Sequence, residues 1–409
     1  MQSFLAPRAW RQARTAVQKS TVVGVTGTSG TALLTESLAY IISQQKSVRR
    51  LTADKPARLA WHVAAGAAAS LSTYIKLLTG KGRPDAAEVT IAVYPLGRPG
   101  DVDTAAKNLP PRIAAIAGLD SIRLDLFPDR EAIVHEAASL IAVLPPETGI
   151  AVLPADDELK ESLVRPLRGA VVWYGYAAGA DVQLLRLVRR PRGGLAAEIA
   201  VAGARHELHL PHIIGRHQVH QLLAAVAAAN AVGADVSQAA QDLQSWLPPS
   251  GYLQRLPGRH GAVVIDDTAE TTPENTLQAL ETLADIAATD THTRRRIAIL
   301  GSIPHLGRQL SRFHQEIGQA AASAADIIIT IGDEARLANE AAARSGQPCD
   351  VHHFPLPAQA AGYLAPLLKP GDTVLVKTQP QPGKDMINQL TAEAPYEVPT
   401  ANSTKDTKP

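Results

Sequence analysis

Short apolar, β-branched runs alternate with alanine-rich stretches through the first part of the chain. TVVGVT (21–26), VTIAVY (89–94), RIAAIAG (112–118), IAVLPA (150–155) and AVVWYGY (170–176) have the composition of buried strands. Residues 31–45, 129–143 and 157–165 between them carry helical patterning. This βαβ alternation predicts a mostly parallel sheet covered by helices on both faces. The pattern changes over 182–210, where VQLLRLVRR, PRGG and LAAEIAVAGARHELHL predict an antiparallel appendage around a Pro/Gly turn. Two helices, 216–232 and 235–246, follow and stop at the breaker LPPSG, which places a domain boundary near 249. Beyond it AVVIDD (262–267), RIAILGSI (296–303), DIIITIG (326–332) and TVLVK (373–377) each precede a helical segment, so a second, smaller doubly wound domain is expected.

The resulting division is a basic lead segment over 1–20, a central α/β domain over 21–249, a Rossmann-like α/β domain over 250–395 and a disordered polar tail over 396–409. The lead segment has no acidic residue. It reads either as a transit peptide or as a short basic helix, and it lacks the apolar core of a secretion signal. The 409 residues leave room for two or three domains. With 45% hydrophobic and 19% charged residues and a net charge of +1, neither disorder nor nucleic-acid binding is indicated. A single cysteine, Cys349, excludes an internal disulfide framework and fits a reducing compartment. No apolar run reaches the roughly 18 residues needed to span a bilayer, so a cytoplasmic location is expected.

Chemistry concentrates at VVGVTGTSGTALLTESLAYII (22–42), a strand, a glycine-rich turn and a helix. Backbone N–H groups of such a turn cradle phosphate, and the helix adds its positive end. The nucleotide-binding candidates are Gly27, Thr28, Ser29, Gly30, Thr31 and Ala32. A phosphate loop normally carries lysine where Thr31 stands and a magnesium-holding hydroxyl where Ala32 stands. The segment therefore reads either as an anion loop working through backbone amides alone or as a tight turn using glycine's conformational freedom. His206, His209, His212, His217 and His220 form a histidine-rich stretch that is either a metal site or structural; no ligand spacing on one element supports the metal. Arg186, Arg189, Arg190 and Arg192 surround the predicted hairpin turn, as a solvated cluster or as a surface for an acidic partner.

Six collinear segments between about 15 and 390 resemble the Mur ligase family, the ATP-dependent amide ligases of peptidoglycan precursors, and in particular its D-alanyl-D-alanine-adding branch. They are GVTGTSGTA, GIAVLPADDE, IIGRHQVHQLLAAVAAANAVG, VVIDDTAETTPENTLQALETL, ILGSIPHLGRQLSRFHQEIG and GDTVLVKTQ. The resemblance implies a P-loop-type central domain, a Rossmann-like C-terminal domain, and ATP with Mg2+ as cofactors. It places nucleotide contacts at His217, Gln218, Asp267 and Lys377. The family's N-terminal uridine-nucleotide domain has no counterpart in this resemblance.

The same resemblance shows which polar groups change. The loop lysine and threonine become Thr31 and Ala32, a glutamate falls at Val93 or Tyr94, a metal-binding histidine at Arg123, and a carbamylated lysine at Ala137. Family acids become Ser302, His305 and Arg308, and an arginine becomes Tyr252. A charge-assisted hydrogen bond is worth roughly 1.5–3 kcal/mol, so joint loss of these groups forfeits orders of magnitude in rate. The expectation is a degenerate homologue without a metal of its own, leaning away from catalysis, that binds or scaffolds a nucleotide, a cell-wall precursor or a protein partner. The alternative is an active ATP-dependent acid–amino-acid ligase with relocated catalytic groups.

Overall fold

The computed structural model describes residues 14, 17–51, 87–190, 193–289 and 292–391. Most of the basic lead segment, Arg192 and the C-terminal tail lie outside the described residues. Contacts divide the chain into two units, Met1–Leu247 with His305–Arg308, and Pro248–Pro304 with Gln309–Pro409.

Among the described residues the first unit has nine strands: β1 (Thr21–Thr26), β2 (Val48–Leu51), β3 (Val89–Val93), β4 (Ile113–Ile116), β5 (Ile150–Pro154), β6 (Ala170–Gly175), β7 (Val182–Arg189), β8 (Leu195–Val201) and β9 (Ala204–Leu210). Their order is β2-β3-β1-β4-β5-β6-β7-β8-β9. From β2 to β6 every pairing is parallel, with Val23 aligned to Ile91 on one side and Ile113 on the other. All four residues of β4 are buried, as a strand covered on both faces requires. Among the described residues six helices belong to this unit: α1 (Thr31–Ser43), α2 (Asp101–Asn108), α3 (Arg130–Ala142), α4 (Lys160–Val164), α5 (Arg216–Ala231) and α6 (Val236–Asp242).

The predicted antiparallel segment is present, and it continues the first unit's own sheet. β7 joins β6 in parallel through Tyr174↔Val182 and Gly175↔Gln183, and β8 and β9 extend the same sheet. Ala202 and Gly203 both take positive φ (48° and 83°), the backbone a two-residue hairpin between right-twisted strands demands. The predicted helix at 157–165 shortens to α4 because the Asp157 carboxylate accepts the Leu159 N–H at 2.8 Å and holds a turn there. Helix α2 was not anticipated. The Glu136 carboxylate of α3 accepts the N–H groups of Gly100 (2.9 Å) and Val102 (2.8 Å), satisfying amides that otherwise end a helix unpaired.

The second unit has a six-stranded sheet ordered β10-β11-β15-β12-β13-β14. Its strands are β10 (Gln254–Pro257), β11 (Val263–Asp266), β12 (Arg295–Gly301), β13 (Ile327–Ile331), β14 (Asp350–Phe354) and β15 (Asp372–Lys377). Only β10 is antiparallel. The helices are α7 (Pro273–Thr289), α8 (Leu310–Ala324), α9 (Arg336–Ala343), α10 (Pro357–Leu364) and α11 (Pro380–Leu390). An apolar cluster including Ile297, Ile299, Val374, Val376 and Met386 forms its core. Among the described residues no helix is long and apolar enough to cross a membrane.

Candidate functional site

β1, β4, β5 and β6 are neighbours running the same way, so their C-terminal ends share one rim of the first unit. Ligands of open α/β sheets bind at such a rim. The loop after β1 closes against the segment after β4. Gly118 O accepts the N–H of Thr28 at 2.8 Å and of Ser29 at 3.3 Å, while Gly118 N–H donates to Ser29 O at 3.0 Å. Thr28 Oγ1 also receives the Asp120 N–H. A side chain at Gly27 would stand 2.9 Å from Ala117 Cβ and Gly118 O, so this approach requires glycine.

Gly30 is left-handed (φ 69°) and is the N-cap of α1, with no side chain capping the helix. With the Thr28 and Ser29 amides committed to Gly118, the donors left for an anion are those of the first turn, Thr31 to Leu33, which have no intrahelical acceptor. Thr31 O receives Thr35 Oγ1 at 2.6 Å, and Ala32 presents only a methyl group. The buried carboxamide of Gln221 on α5 packs against Gly30; a Cβ there would meet Gln221 Cδ at 2.6 Å. Among the described residues Gln221 Oε1 has no hydrogen-bond partner.

Other positions singled out by resemblance have new surroundings. Tyr94 is 1% exposed, and its hydroxyl donates to Leu109 O. Burial pushes the phenol far above its ordinary value, which makes it a core residue rather than a proton carrier. Ala137 is fully buried in the apolar core of this unit. Arg123 sits in a left-handed conformation (φ 50°), and its guanidinium grips Asp125 through two contacts of 3.1 and 3.3 Å. Its charge is matched by a carboxylate rather than offered to a metal.

α5 lays its first turns along the rim. Gln218 is fully buried, and its Oε1 accepts the N–H groups of Ile214 (3.1 Å) and Gly215 (2.9 Å), so this part of the side chain caps the helix. His217 lies half-buried in the same turn. A group that the sequence did not reveal is the Asp156–His220 pair, at 3.2 Å. Asp156 follows β5 and also accepts the Tyr176 and Ala177 N–H groups, each at 2.7 Å. Burial opposes its charge, but His220 and these amides hold the carboxyl below its usual range. Tyr174 and Tyr176 pack on the His220 ring at 5.0 and 5.2 Å, and Arg216 lies 4.5 Å over Tyr176. The ADD spacing and His220 were visible in the sequence, but only folding pairs them.

His206 and His209 are on β9, where His209 Nδ1 lies 3.1 Å from Arg190. Among the described residues no group of three or more histidine, cysteine or acidic side chains is arranged to hold a metal. Ala32, Tyr94, Arg123 and Ala137, which the resemblance aligns with magnesium positions, carry no side chain suited to that ion.

In the second unit Asp267 and Lys377 are brought together at the adjacent ends of β11 and β15, but they face each other. Lys377 Nζ lies 2.7 Å from Asp267 Oδ2 and donates to Glu270 O at 2.8 Å. Both side chains are almost wholly buried. Tyr252 donates to Glu270 Oε1 at 2.7 Å, and burial raises its phenol well above the ordinary value.

This frame matches two known domain families: the Mur ligase middle domain over residues 25–229, and the Mur ligase, glutamate ligase domain over residues 253–379. The chain belongs to the Mur ligase family. It is 30% identical over 299 residues to the UDP-N-acetylmuramoyl-tripeptide–D-alanyl-D-alanine ligase of Mycobacterium tuberculosis (strain CDC 1551), a match covering 68% of this chain. It spans 57% of the length of that relative. The ligase of the same name from Synechocystis is 27% identical over 392 residues, covering 95% of this chain and 78% of the relative. Among solved structures, the MurF ligase of Thermotoga maritima in complex with ADP superposes with a TM-score of 0.79 at 22% identity, over 94% of this chain and 83% of that one. Folylpolyglutamate synthase of Mycobacterium tuberculosis, complexed with ADP, gives 0.68 at 16% identity, over 95% of both chains. These likenesses establish the shared Mur ligase fold.

Proposed function

We propose that this Mur ligase-family chain is a non-catalytic homologue that holds a phosphate-bearing ligand at its glycine-rich loop without turning it over. In this reading it acts as a cytoplasmic binding or scaffolding partner in cell-wall precursor metabolism. The observation that carries the reading is the composition of the rim. The first-turn amides of α1, Thr31 to Leu33, stay open to an anion, while Thr31 and Ala32 stand where the resemblance places the lysine and the metal-holding hydroxyl. Phosphoryl transfer depends almost entirely on positioning and charge neutralisation, and the loop at Thr31 and Ala32 contributes no side-chain charge or metal to the second. Backbone amides at a helix start need no side-chain cation to hold an anion.

The test is calorimetric titration of the full chain with a non-hydrolysable ATP analogue, with magnesium and with EDTA, beside a phosphate-release assay given Mg-ATP, an amine and a carboxylate substrate. Weak binding indifferent to magnesium, with no phosphate released, is expected. Thr31→Lys with Ala32→Thr should then tighten binding by about 10- to 100-fold and make it magnesium-dependent, the effect of one restored charge-assisted contact and a metal-holding hydroxyl. Micromolar, magnesium-dependent binding by the unaltered chain, with amine-dependent phosphate release, would establish the active-ligase alternative instead.

A further inference from the structure

Parallel strands that gather their C-terminal ends at the loop gather their N-terminal ends on the opposite side of the first unit. There, beside the starts of β1 and β4, lies a cavity of about 570 Å3. That volume is in the range of small-molecule sites. Its apolar wall is Val17, Val22 and Leu109, with Pro110, Pro111 and Pro145, and Ser20 and Thr148 add two hydroxyls. Proline fixes its own backbone angle, so three of them give a preformed wall that loses little entropy when a ligand enters.

The charge lining this cavity has one sign. Arg14, Lys107 and Arg112 border it, and none of its described lining residues is acidic. The three cations are not equivalent. Arg14 donates to Asn108 O at 2.7 Å and Lys107 O at 3.1 Å, covering the carbonyl end of α2. Lys107 shares its charge with Asp103 at 2.8 Å. Arg112 makes no ion pair among the described residues, and it stands where β4 begins. An apolar, prolyl-walled chamber with an uncompensated guanidinium at its edge matches a ligand with two parts.

We propose that this cavity binds an amphipathic anion: a compact apolar body lodged among Val17, Val22, Leu109 and the prolines, with a carboxylate or phosphate head on Arg112. The site is distinct from the loop at the other end of β1, and it stands whether or not the loop holds a phosphate. A planar guanidinium serves either head, since it meets both through paired N–H donors.

The test is calorimetric titration of the full chain with octanoate, octyl phosphate, octylammonium and inorganic phosphate, each below its aggregation concentration. Saturable binding of one or both anionic amphiphiles is expected, the tighter one naming the head group. Octylammonium and inorganic phosphate should bind at least tenfold more weakly, since one has the wrong charge and the other no apolar body. Arg112→Glu should weaken the amphiphile at least tenfold while leaving titration of the ATP analogue as in the unaltered chain. Pro145→Glu, at an exposed wall position, should act in the same direction and guards against misfolding of the first variant. Absence of saturable binding, equal binding of octylammonium, or undiminished binding by both variants would overturn the proposal.

Discussion

Removing the ammonium group of Lys377 tests whether it is a ligand contact or an internal counter-ion. In the folded second unit its Nζ lies 2.7 Å from Asp267 Oδ2, with 2% and 6% of the two side chains exposed. At that distance, and at an effective dielectric of about 20, the gross attraction is about 6 kcal/mol. Desolvation of each ion takes back several kcal/mol, so the intact pair is close to neutral for stability. Deleting one member is different. Lys377→Met leaves the Asp267 carboxylate buried, with the Leu253 N–H donating to it at 3.3 Å, and should cost about 3–5 kcal/mol. Lys377→Met combined with Asp267→Leu should recover most of that loss, because no charge is then stranded.

Urea unfolding separates the two units because all four tryptophans precede Pro248. With a slope of about 2–3 kcal/mol per molar, the second unit's transition, followed by far-UV circular dichroism, should move down by about 1–2.5 M in Lys377→Met. Tryptophan fluorescence should hold its midpoint. A shift below about 0.3 M, together with loss of ATP-analogue binding, would refute the internal-pair argument and make Lys377 a ligand contact.

Two further outcomes follow from the same contacts. Burial raises the Asp266 carboxyl above its ordinary value, despite the Thr268 hydroxyl and N–H that bond it. A raised folded-state value means its contribution is complete below the unfolded pKa near 3.9 and is lost as pH rises through the folded value. Asp266→Asn, which keeps the acceptor and drops the charge, should match the unaltered chain near pH 3 and be the more stable near pH 7. A less stable variant at pH 7 in paired urea titrations would contradict this. Gly30→Ala should destabilise the first unit by about 2 kcal/mol or more, through the left-handed backbone and the 2.6 Å approach to Gln221 Cδ. Adding Gln221→Ala should relieve the steric part and leave about 1 kcal/mol, read from the tryptophan transition; an additive loss would disprove the contact.

The strands most legible in the sequence were those buried on both faces, such as β1, β4 and β13, because double burial writes a continuous apolar run. The three strands that escaped notice, VRRL at β2, QRLP at β10 and DVHHF at β14, all lie at sheet edges. An edge strand satisfies half its backbone elsewhere and tolerates polar or prolyl residues, so local composition does not mark it. The site divided the same way. The glycine-rich loop was readable because a left-handed N-cap and a close approach leave glycine as the fitting residue, and the missing lysine was readable as a residue identity.

What the sequence determined by itself was the order of the doubly buried strands, the loop's place between strand and helix, and the absence of lysine at Thr31 and of a hydroxyl at Ala32. Tertiary structure alone decided how the remaining polar groups are used: Lys377 is held by Asp267, Arg123 by Asp125, His220 by Asp156, and Gln221 is packed on Gly30. A residue's charge is local information, but its partner comes from a distant part of the chain. Whether a charged group faces a ligand or a neighbour is therefore fixed only when packing brings those parts together and removes water from between them.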